Sequence, residues 1–371
     1  MKKINGHEII QLFEQFSPKG YAMEGDKIGL QIGRLNKPVE NVMIALDVLE
    51  EVVDEAIAKN VQLIIAHHPP IFRPLKSIAT DTPAGRIIEK LIKHDIAVYA
   101  AHTNLDVATG GVNDMLAEAL KLVNTEVLVP TYETELKKLV VFVPEDNADD
   151  LKKALGDAGA GAIGHYSHCS FESSGIGQFL PGEGTNSFIG EHGKLESVKE
   201  LRIETIFPAQ LENRILKAMF LAHPYEEVAY DIYKLDNKGE VLGLGRIGEI
   251  EEMTLGEFAN HVKKTLDVNG VRVVGDLDSK VKKVAVLGGD GNKYFTSAKF
   301  KGADVYVTGD MYYHVAHDAM MMGLNIVDPG HNVEKVMKQG VTLQLTKMCQ
   351  EKGYAVSIFA SEIHTDPFQF M

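Results

Sequence analysis

The chain has 371 residues, more than one hydrophobic core usually organises, so we expect two or three domains. Its net charge of −14 disfavours nucleic acid and anionic lipid as partners, since both attract clustered positive charge. Hydrophobic residues make up 45%, but the apolar runs are only as long as strands, so no membrane partner is expected. The two cysteines form no CxxC pair, and the first residues resemble an amphipathic helix more than a signal peptide, which together predict a cytoplasmic protein.

The first 127 residues alternate the signals of helices and strands. An opening helix is predicted near residues 6–16. After it, apolar runs of strand length alternate with segments whose apolar residues recur at helical spacing. Strands separated by helices favour right-handed crossovers and a parallel sheet. The predicted strands are 39–47, 62–68 and 97–106, and the predicted helices are 49–60, 82–95 and a segment after Gly110-Gly111.

Residues 128–236 follow a different pattern. Their strand and helix signals come in the order βαββαβ, which is typical of ferredoxin-like domains. The stretch 177–193, rich in glycine and serine, is predicted to be a long connection or an exposed hairpin tip. We therefore interpret 128–236 as a domain inserted into a loop of its parent.

Residues 237–371 repeat the order of the first part. Polar residues fall at the same strand ends in both copies, so we interpret 1–127 and 237–371 as duplicated βαβ units whose half-sites face each other. The whole chain is thus predicted to be an α/β protein with a ferredoxin-like insertion. The corresponding segments are 281–289 with 39–47, 298–310 with 56–68, and 314–334 with 85–106.

His67 and His68 come directly after an apolar strand and before Pro69-Pro70. Ligands of open α/β sheets bind at this end of the strands. Adjacent strand residues point to opposite faces, so the two imidazoles suit two metal ions better than one. The alternative is a pair of strand-end residues that make ordinary hydrogen bonds.

Asp106 lies where the next predicted strand passes into a loop. Its carboxylate is a hard oxygen ligand that can bridge two ions, although a turn or helix-cap role is the alternative. His102 lies nearby in sequence and is a candidate ligand, hydrogen-bond partner of a ligand, or proton shuttle.

His331 and Glu334 hold the corresponding position in the second half. If a helix starts after Pro329-Gly330, the two side chains share one face and can hold one ion or bridge two. The alternative for Glu334 is to complement the helix dipole. With His67, His68 and Asp106 they make five candidate ligands, which suit two divalent ions per subunit and a water between them. Zinc is the first expectation, with iron or manganese as alternatives.

Asp310, His314 and His317 follow the strand of 298–310 and are weaker candidates. We take Asp310 and His314, together with His102, as candidates for proton transfer in catalysis. Polar residues at a helix start are the simpler explanation for them. The GGDG run at 288–291 either cradles a phosphate with its backbone amides or forms a tight turn.

Six stretches of the chain, in this order, resemble the Nif-three-like family, whose bacterial members carry the label GTP cyclohydrolase 1 type 2 homolog. The resemblance implies a dinuclear metal centre with ligands at His67, His68, Asp106, His331 and a following glutamate. Glu334 is the acid in reach, because position 335 holds lysine. The resemblance also implies a toroidal homohexamer whose metal sites face an inner cavity. The stretches are GDKIGLQIG (25–33), AHHPPIF (66–72), AHTNLD (101–106), GGDG (288–291), TGDMYYH (308–314) and DPGH (328–331).

The middle segment resembles the inserted domain of longer family members, which is similar to PII and CutA proteins. The stretch HPYEEVAYDIY (223–233) carries this similarity. PII-like modules bind small effectors or mediate trimer contacts, so the resemblance implies a sensing or gating role. A plain structural lid is the alternative.

Two functions fit these residues. The first is a metal-dependent hydrolase, in which water between two ions attacks a nucleotide or a phosphorylated small molecule. The second is a non-catalytic metal-binding scaffold or metabolite sensor, with the inserted domain as its regulatory element. An open coordination position favours the enzyme, whereas a site closed by protein ligands favours the scaffold.

Overall fold

The structure, a computed structural model, describes residues 4–371. These residues form two compact units, one made of the chain up to Tyr132 together with Leu242–Met371, the other of Glu133–Val241. The chain passes from one unit to the other inside two long strands, Val123–Pro144 and Tyr230–Thr254. No helix in the described part of the chain is long and apolar enough to cross a membrane.

Short buried strands alternate with helices in the first part of the chain. The first helix begins with a capping box between Asn5 and Glu8, and Thr82 caps a later helix that has Pro83 at its first position. The three central strands are rich in Val, Ile and Ala and are almost wholly buried, as parallel strands covered on both faces are. The elements are β1 (Ile4–Asn5), α1 (Gly6–Phe16), β2 (Gly29–Ile32), β3 (Pro38–Val39), β4 (Asn41–Ala45), α2 (Glu50–Ala58), β5 (Leu63–Ala66), α3 (Pro83–Lys93), β6 (Ala97–Ala100), α4 (Thr103–Val107) and α5 (Val112–Ala119).

The second unit is built around an antiparallel arrangement of strands. Leu139, Val141 and Ile203 pack on one face of these strands against the two helices. The long connection of this unit covers residues 180–195, between its second and third strands. The elements from here to the return into the first unit are β7 (Val123–Pro144), α6 (Ala148–Asp157), β8 (Phe171–Phe179), β9 (Glu196–Pro208), α7 (Glu212–Ala222) and β10 (Tyr230–Thr254), with β9 antiparallel to both β7 and β8.

The last part of the chain again alternates strands and helices. A second capping box, between Thr254 and Glu257, starts its first helix. A 3-10 helix, His331–Lys335, precedes the longest helix. The remaining elements are α8 (Leu255–Thr265), β11 (Arg272–Val274), β12 (Lys280–Asp290), α9 (Phe295–Phe300), β13 (Val305–Gly309), α10 (Tyr313–Met321), β14 (Asn325–Asp328), α11 (Val336–Glu351) and β15 (Ser357–Ala360).

Each half of the first unit contributes one sheet with three parallel strands in chain order. In the first half these are β4, β5 and β6, flanked by antiparallel β2 of the same half and by parallel β15, which the second half adds to this sheet. In the second half they are β12, β13 and β14, flanked by antiparallel β10 and β11. One buried cluster joins both sheets, with Ile44 and Leu63 from the first and Val286 and Val307 from the second.

Three strands end earlier than the sequence predicts. β4 ends at Ala45 rather than at Asp47. β5 ends at Ala66, so His67 and His68 lie just beyond it. β6 ends at Ala100 and is followed by the helical turn α4, where a loop is predicted. The turn begins there because the carboxylate of Asp26 accepts the backbone N–H of Thr103, an otherwise unpaired donor at a helix start.

Candidate metal centre

The five residues predicted to be metal ligands meet at the carboxyl ends of the parallel strands. His67 and His68 follow β5, and Asp106 lies on α4 just after β6. His331 and Glu334 lie three residues apart on the 3-10 helix after β14. His67 and Glu334 are 0% and 3% exposed. Ionisable side chains are seldom buried so deeply unless other polar groups pair with them.

His67, Asp106 and Glu334 form a buried group of candidate ligands. The Nδ1–H of His67 donates to the backbone carbonyl of Ala101 at 2.9 Å, which leaves Nε2 as an acceptor. This Nε2 lies 3.6 Å from Asp106 Oδ1 and 3.7 Å from Glu334 Oε2. Those distances exceed a hydrogen bond, and neither of the buried atoms His67 Nε2 and Asp106 Oδ1 has a hydrogen-bond partner among residues 4–371.

His68, His331 and Glu334 form a second group. Glu334 Oε2 lies 3.0 Å from Nε2 of His68 and 3.2 Å from Nε2 of His331. The same carboxylate oxygen therefore faces three imidazoles, one from the buried group and two from this one. The side chains of His68 and His331 are 24% and 37% exposed, so this group can be reached from solvent.

His102 completes a third group with His67 and His68. Its ring centroid lies 5.3 Å from that of His67 and 5.9 Å from that of His68. Nδ1 of His102 bonds to Asp26 Oδ1 at 2.9 Å, so its Nε2 is the nitrogen left for the cluster. This position of His102 suits a metal ligand and a proton carrier equally.

Three of the imidazoles are hydrogen-bonded to carboxylates, which orient the rings. Asp47 bonds to His68 Nδ1 at 2.6 Å, and Asp310 bonds to His331 Nδ1 at 2.7 Å. Asp26 does the same for His102. Such partners fix the ring orientation and raise the basicity of a metal-ligating histidine. Sequence reasoning missed Asp26 and Asp47, although Asp47 follows the buried run of β4, which is a usable signal.

Burial and charge act in opposite directions on these groups. Burial lowers the pKa of His68 and His331, but hydrogen bonds to two carboxylates each more than offset it and raise the values to about 10 and about 9. Burial raises the pKa of Asp106 to about 6, against the opposing charge of His67. Burial acts to raise the pKa of Glu334 too, but the three imidazoles hold it well below its usual range. Without a metal, protonated His68 and His331 therefore flank an ionised Glu334 at neutral pH.

Two glycines at the end of β12 leave room for this cluster. A Cβ on Gly289 would come within 2.6 Å of Glu334 Oε1 and 3.2 Å of His331 Nε2. A Cβ on Gly288 would come within 3.1 Å of the Glu334 side chain. Gly289 also has a φ of +65°, a conformation that favours glycine. The GGDG run thus borders the cluster.

The remaining predicted residues differ in their placement. Asp310 reaches the cluster through its hydrogen bond to His331. His314 is exposed on α10 and is in none of the three groups, and its ring contacts Tyr313. His317, also exposed, contacts the same tyrosine. Their role in catalysis stays a prediction.

The residues present fit a divalent metal ion. Two donors that each lie about 2.1 Å from one tetrahedral ion are separated by roughly 3.4 Å. The 3.6 and 3.7 Å separations at His67 Nε2 are close to this value. An ion would also supply the partner that His67 Nε2 and Asp106 Oδ1 lack, and a buried polar atom without a partner costs about 1–3 kcal/mol.

Fold and site together define a mixed α/β protein with histidine and carboxylate groups able to hold a metal ion. Residues 4–367 match the model of the Duf34/NIF3 (NGG1p interacting factor 3) family, and the chain belongs to that family. The family predicted from the sequence motifs is therefore confirmed.

Relatives match along the full length of the chain. A Bacillus subtilis protein named GTP cyclohydrolase 1 type 2 homolog is 67% identical over 371 residues, covering 100% of both chains. The crystal structure of a Bacillus cereus protein related to NIF3 superposes with a TM-score of 0.96 at 69% identity, again over 100% of both chains. A Staphylococcus aureus crystal structure gives a TM-score of 0.77 at 35% identity and the same coverage.

Proposed function

We propose that the protein is a dinuclear metal-dependent hydrolase that acts on a nucleotide or another phosphorylated small molecule. The observation that carries this proposal is the pair of buried, unpartnered ligand atoms, His67 Nε2 and Asp106 Oδ1, facing a carboxylate shared with two further imidazoles. The name of the Bacillus subtilis relative supports a nucleotide as the substrate.

Glu334 belongs to both ligand groups, so its carboxylate would be shared if each group held an ion. One ion would be held by His67, Asp106 and Glu334, the other by His68, His331 and Glu334. Imidazole with carboxylate suits zinc first, and iron or manganese as alternatives. Divalent ions at such a site polarise a phosphoryl or carbonyl oxygen and make water more acidic.

The chain's own residues complete the proposed chemistry. His102 would receive or donate a proton beside His67 and His68, with the hydrogen bond to Asp26 orienting its ring. Asp310 is a positioning residue, because it acts by orienting His331. His314 remains a candidate for proton transfer from outside the cluster.

The alternative is a non-catalytic metal-binding scaffold or metabolite sensor. The exposure of His68 and His331 favours the enzyme, because a substrate can reach that group from solvent. A site that served only structure would be closed by protein ligands on all sides. The buried group of His67, Asp106 and Glu334 has that closed character, so a structural role for one ion is compatible with an enzyme.

Metal analysis of the purified protein beside His67→Ala and Asp106→Ala tests the proposal. Wild type should carry about two ions per chain, and both variants should lose metal. A panel of nucleotides, phosphoesters and amides should then reveal turnover that depends on the same residues. Turnover that survives both substitutions would exclude catalysis at this centre, and full metal content without turnover of any substrate would favour the scaffold.

We further propose that the second unit is a ferredoxin-like domain of the PII or CutA type, inserted between the two halves of the parent domain. The strand and helix order of the unit and its antiparallel β7, β9 and β8 support this. We also propose a cytoplasmic toroidal homohexamer. Light scattering of the purified chain tests the assembly, and a mass other than six chains would contradict it.

A further inference from the structure

The second unit contains a cavity of about 570 Å³, large enough for a small organic molecule. All residues that line it belong to this unit. Strands β8 and β9 contribute one side, and the connection 180–195 contributes another. The Glu226 carboxylate, which also lines the cavity, accepts the backbone N–H of Asn186 at 2.8 Å and so ties this connection in place.

Glu200 is the most deeply buried charged side chain that lines the cavity. It is 8% exposed and lies on β9 opposite Gly175 of β8. The hydroxyl of Tyr225 donates to Glu200 Oε1 at 2.9 Å. Gly177 leaves room for the second oxygen, because a Cβ there would come within 2.1 Å of Glu200 Oε2. A buried carboxylate with one neutral donor gains stability from a further donor or a positive charge.

Four aromatic residues line the same cavity, namely Phe142, Phe179, Phe188 and Tyr225. The ring centroid of Tyr225 lies 5.9 Å from that of Phe179 and 6.3 Å from that of Phe188. Burial and the Glu200 carboxylate raise the pKa of Tyr225 far above its usual value, so its hydroxyl stays protonated. Aromatic faces attract organic cations, most strongly where water is excluded.

The charges that line the cavity also favour a cation. Glu200, Glu226 and Glu227 face a single positive side chain among the lining residues, that of Arg202. Arg202 already donates to Glu204 Oε1 at 2.7 Å, which offsets its charge. A phosphate or carboxylate ligand would therefore meet net repulsion here.

We propose that this cavity binds a small organic cation, an ammonium group carried on an apolar or aromatic body. Glu200 faces the charge, and the rings of Phe179, Phe188 and Tyr225 hold the body. This binding site is additional to the metal centre, and its occupation does not depend on the proposed hydrolase activity.

Three probes that share one phenyl group and differ in charge test the proposal. They are 2-phenylethylamine, which is cationic, 2-phenylethanol, which is neutral, and phenylacetate, which is anionic. Each is titrated calorimetrically into the full chain. The amine should bind at least about tenfold more tightly than the other two.

Two substitutions locate the site. Glu200→Gln keeps the shape and an acceptor for Tyr225 but removes the charge, so amine affinity should fall about tenfold while binding of the alcohol is unchanged. Tyr225→Phe removes the hydroxyl and keeps the ring, and should cause a smaller loss. The matched control is Glu172→Gln, since Glu172 pairs with Lys152 and does not line the cavity.

Three results would overturn the proposal. The first is equal binding of all three probes, or binding of none. The second is unchanged amine affinity in both Glu200→Gln and Tyr225→Phe. The third is that wild type binds none of the probes while Glu200→Gln changes the oligomeric state of the protein. The cavity would then receive a side chain of a second copy of this chain.

Discussion

The two halves of the first unit are alike in topology and unlike in chemistry. Each carries three parallel strands in chain order. The first half supplies two adjacent histidines and Asp106 to the cluster, whereas the second supplies His331 and Glu334. Where the first half has Asp47 just after β4, the corresponding residue of the second half is Gly289, near the end of β12.

This comparison distinguishes the contribution of the backbone to the site from that of the side chains. In each half the repeated backbone gathers the ends of three parallel strands at one edge of a sheet, and the side chains that follow these two edges meet in the cluster. The side chains at those strand ends differ between the two halves. The first half provides most of the imidazoles and their supporting carboxylates, and the second provides Glu334 and the space that its side chain occupies.

The largest effect is expected from Glu334→Gln, because Glu334 Oε2 faces imidazoles from both halves. An amide oxygen is a much weaker ligand than a carboxylate, so metal affinity should fall by roughly 100-fold or more. Competition with a chelator of known affinity measures it, with exposed Glu251→Gln as the control. Retention of the full metal content would show that the halves do not share this ligand.

A change of pH should act mainly on the group of His68, His331 and Glu334. The pKa of His68 is raised to about 10 and that of His331 to about 9, so both imidazoles are protonated at neutral pH without metal. Metal binding must release these protons, so affinity should rise with pH, by about tenfold per pH unit for each proton released, and level off above these values. Protonation of Asp106, with its pKa of about 6, should weaken binding further in acid. Chelator competition between pH 6 and pH 9 checks the sign. A flat profile would contradict it.

The supporting carboxylates offer a comparison between the halves. Asp47→Asn should lower metal affinity by about tenfold, because Asp47 orients His68 at 2.6 Å and is only 26% exposed. Asp310→Asn should cause a smaller loss, since that side chain is 40% exposed and solvent can replace it. Asp54→Asn, on an exposed surface ion pair, is the control. An equal loss in both test variants would mean that the halves support their histidines equally.

The smallest effect is expected from His314→Ala. His314 is exposed on α10 and outside the ligand groups, so metal content should change by no more than about twofold. Turnover of the substrate panel is the second measurement. A loss of turnover with unchanged metal content would confirm the predicted role of His314 in proton transfer and extend the second half's contribution beyond the cluster.

The parts of the site with a strong local signal could be predicted from sequence. His67 and His68 stand out because a buried apolar run ends directly before them, and His331 and Glu334 stand out because helical spacing places them on one face. The family could be predicted because its motifs lie in order along both halves. Each of these signals depends on neighbouring residues in the chain.

Other features depend on contacts distant in sequence, and no local pattern reveals them. Asp26 reaches His102 across 76 positions from a segment with no regular structure of its own. The short strand β15 joins the edge of the first sheet beside β4, more than 300 positions earlier in the chain. The helical turn at Asp106 likewise depends on Asp26, whose carboxylate caps it.

Gly288 and Gly289 border the cluster so closely that the absence of a side chain is itself a requirement there. Every missense change of a glycine codon adds at least one carbon atom to the residue. At position 289 even the smallest such change would bring a Cβ within 2.6 Å of Glu334 Oε1 and 3.2 Å of His331 Nε2, in a group able to hold a metal ion. This stretch should therefore be among the least tolerant in a saturation mutagenesis library selected for metal loading, although neither glycine is a ligand.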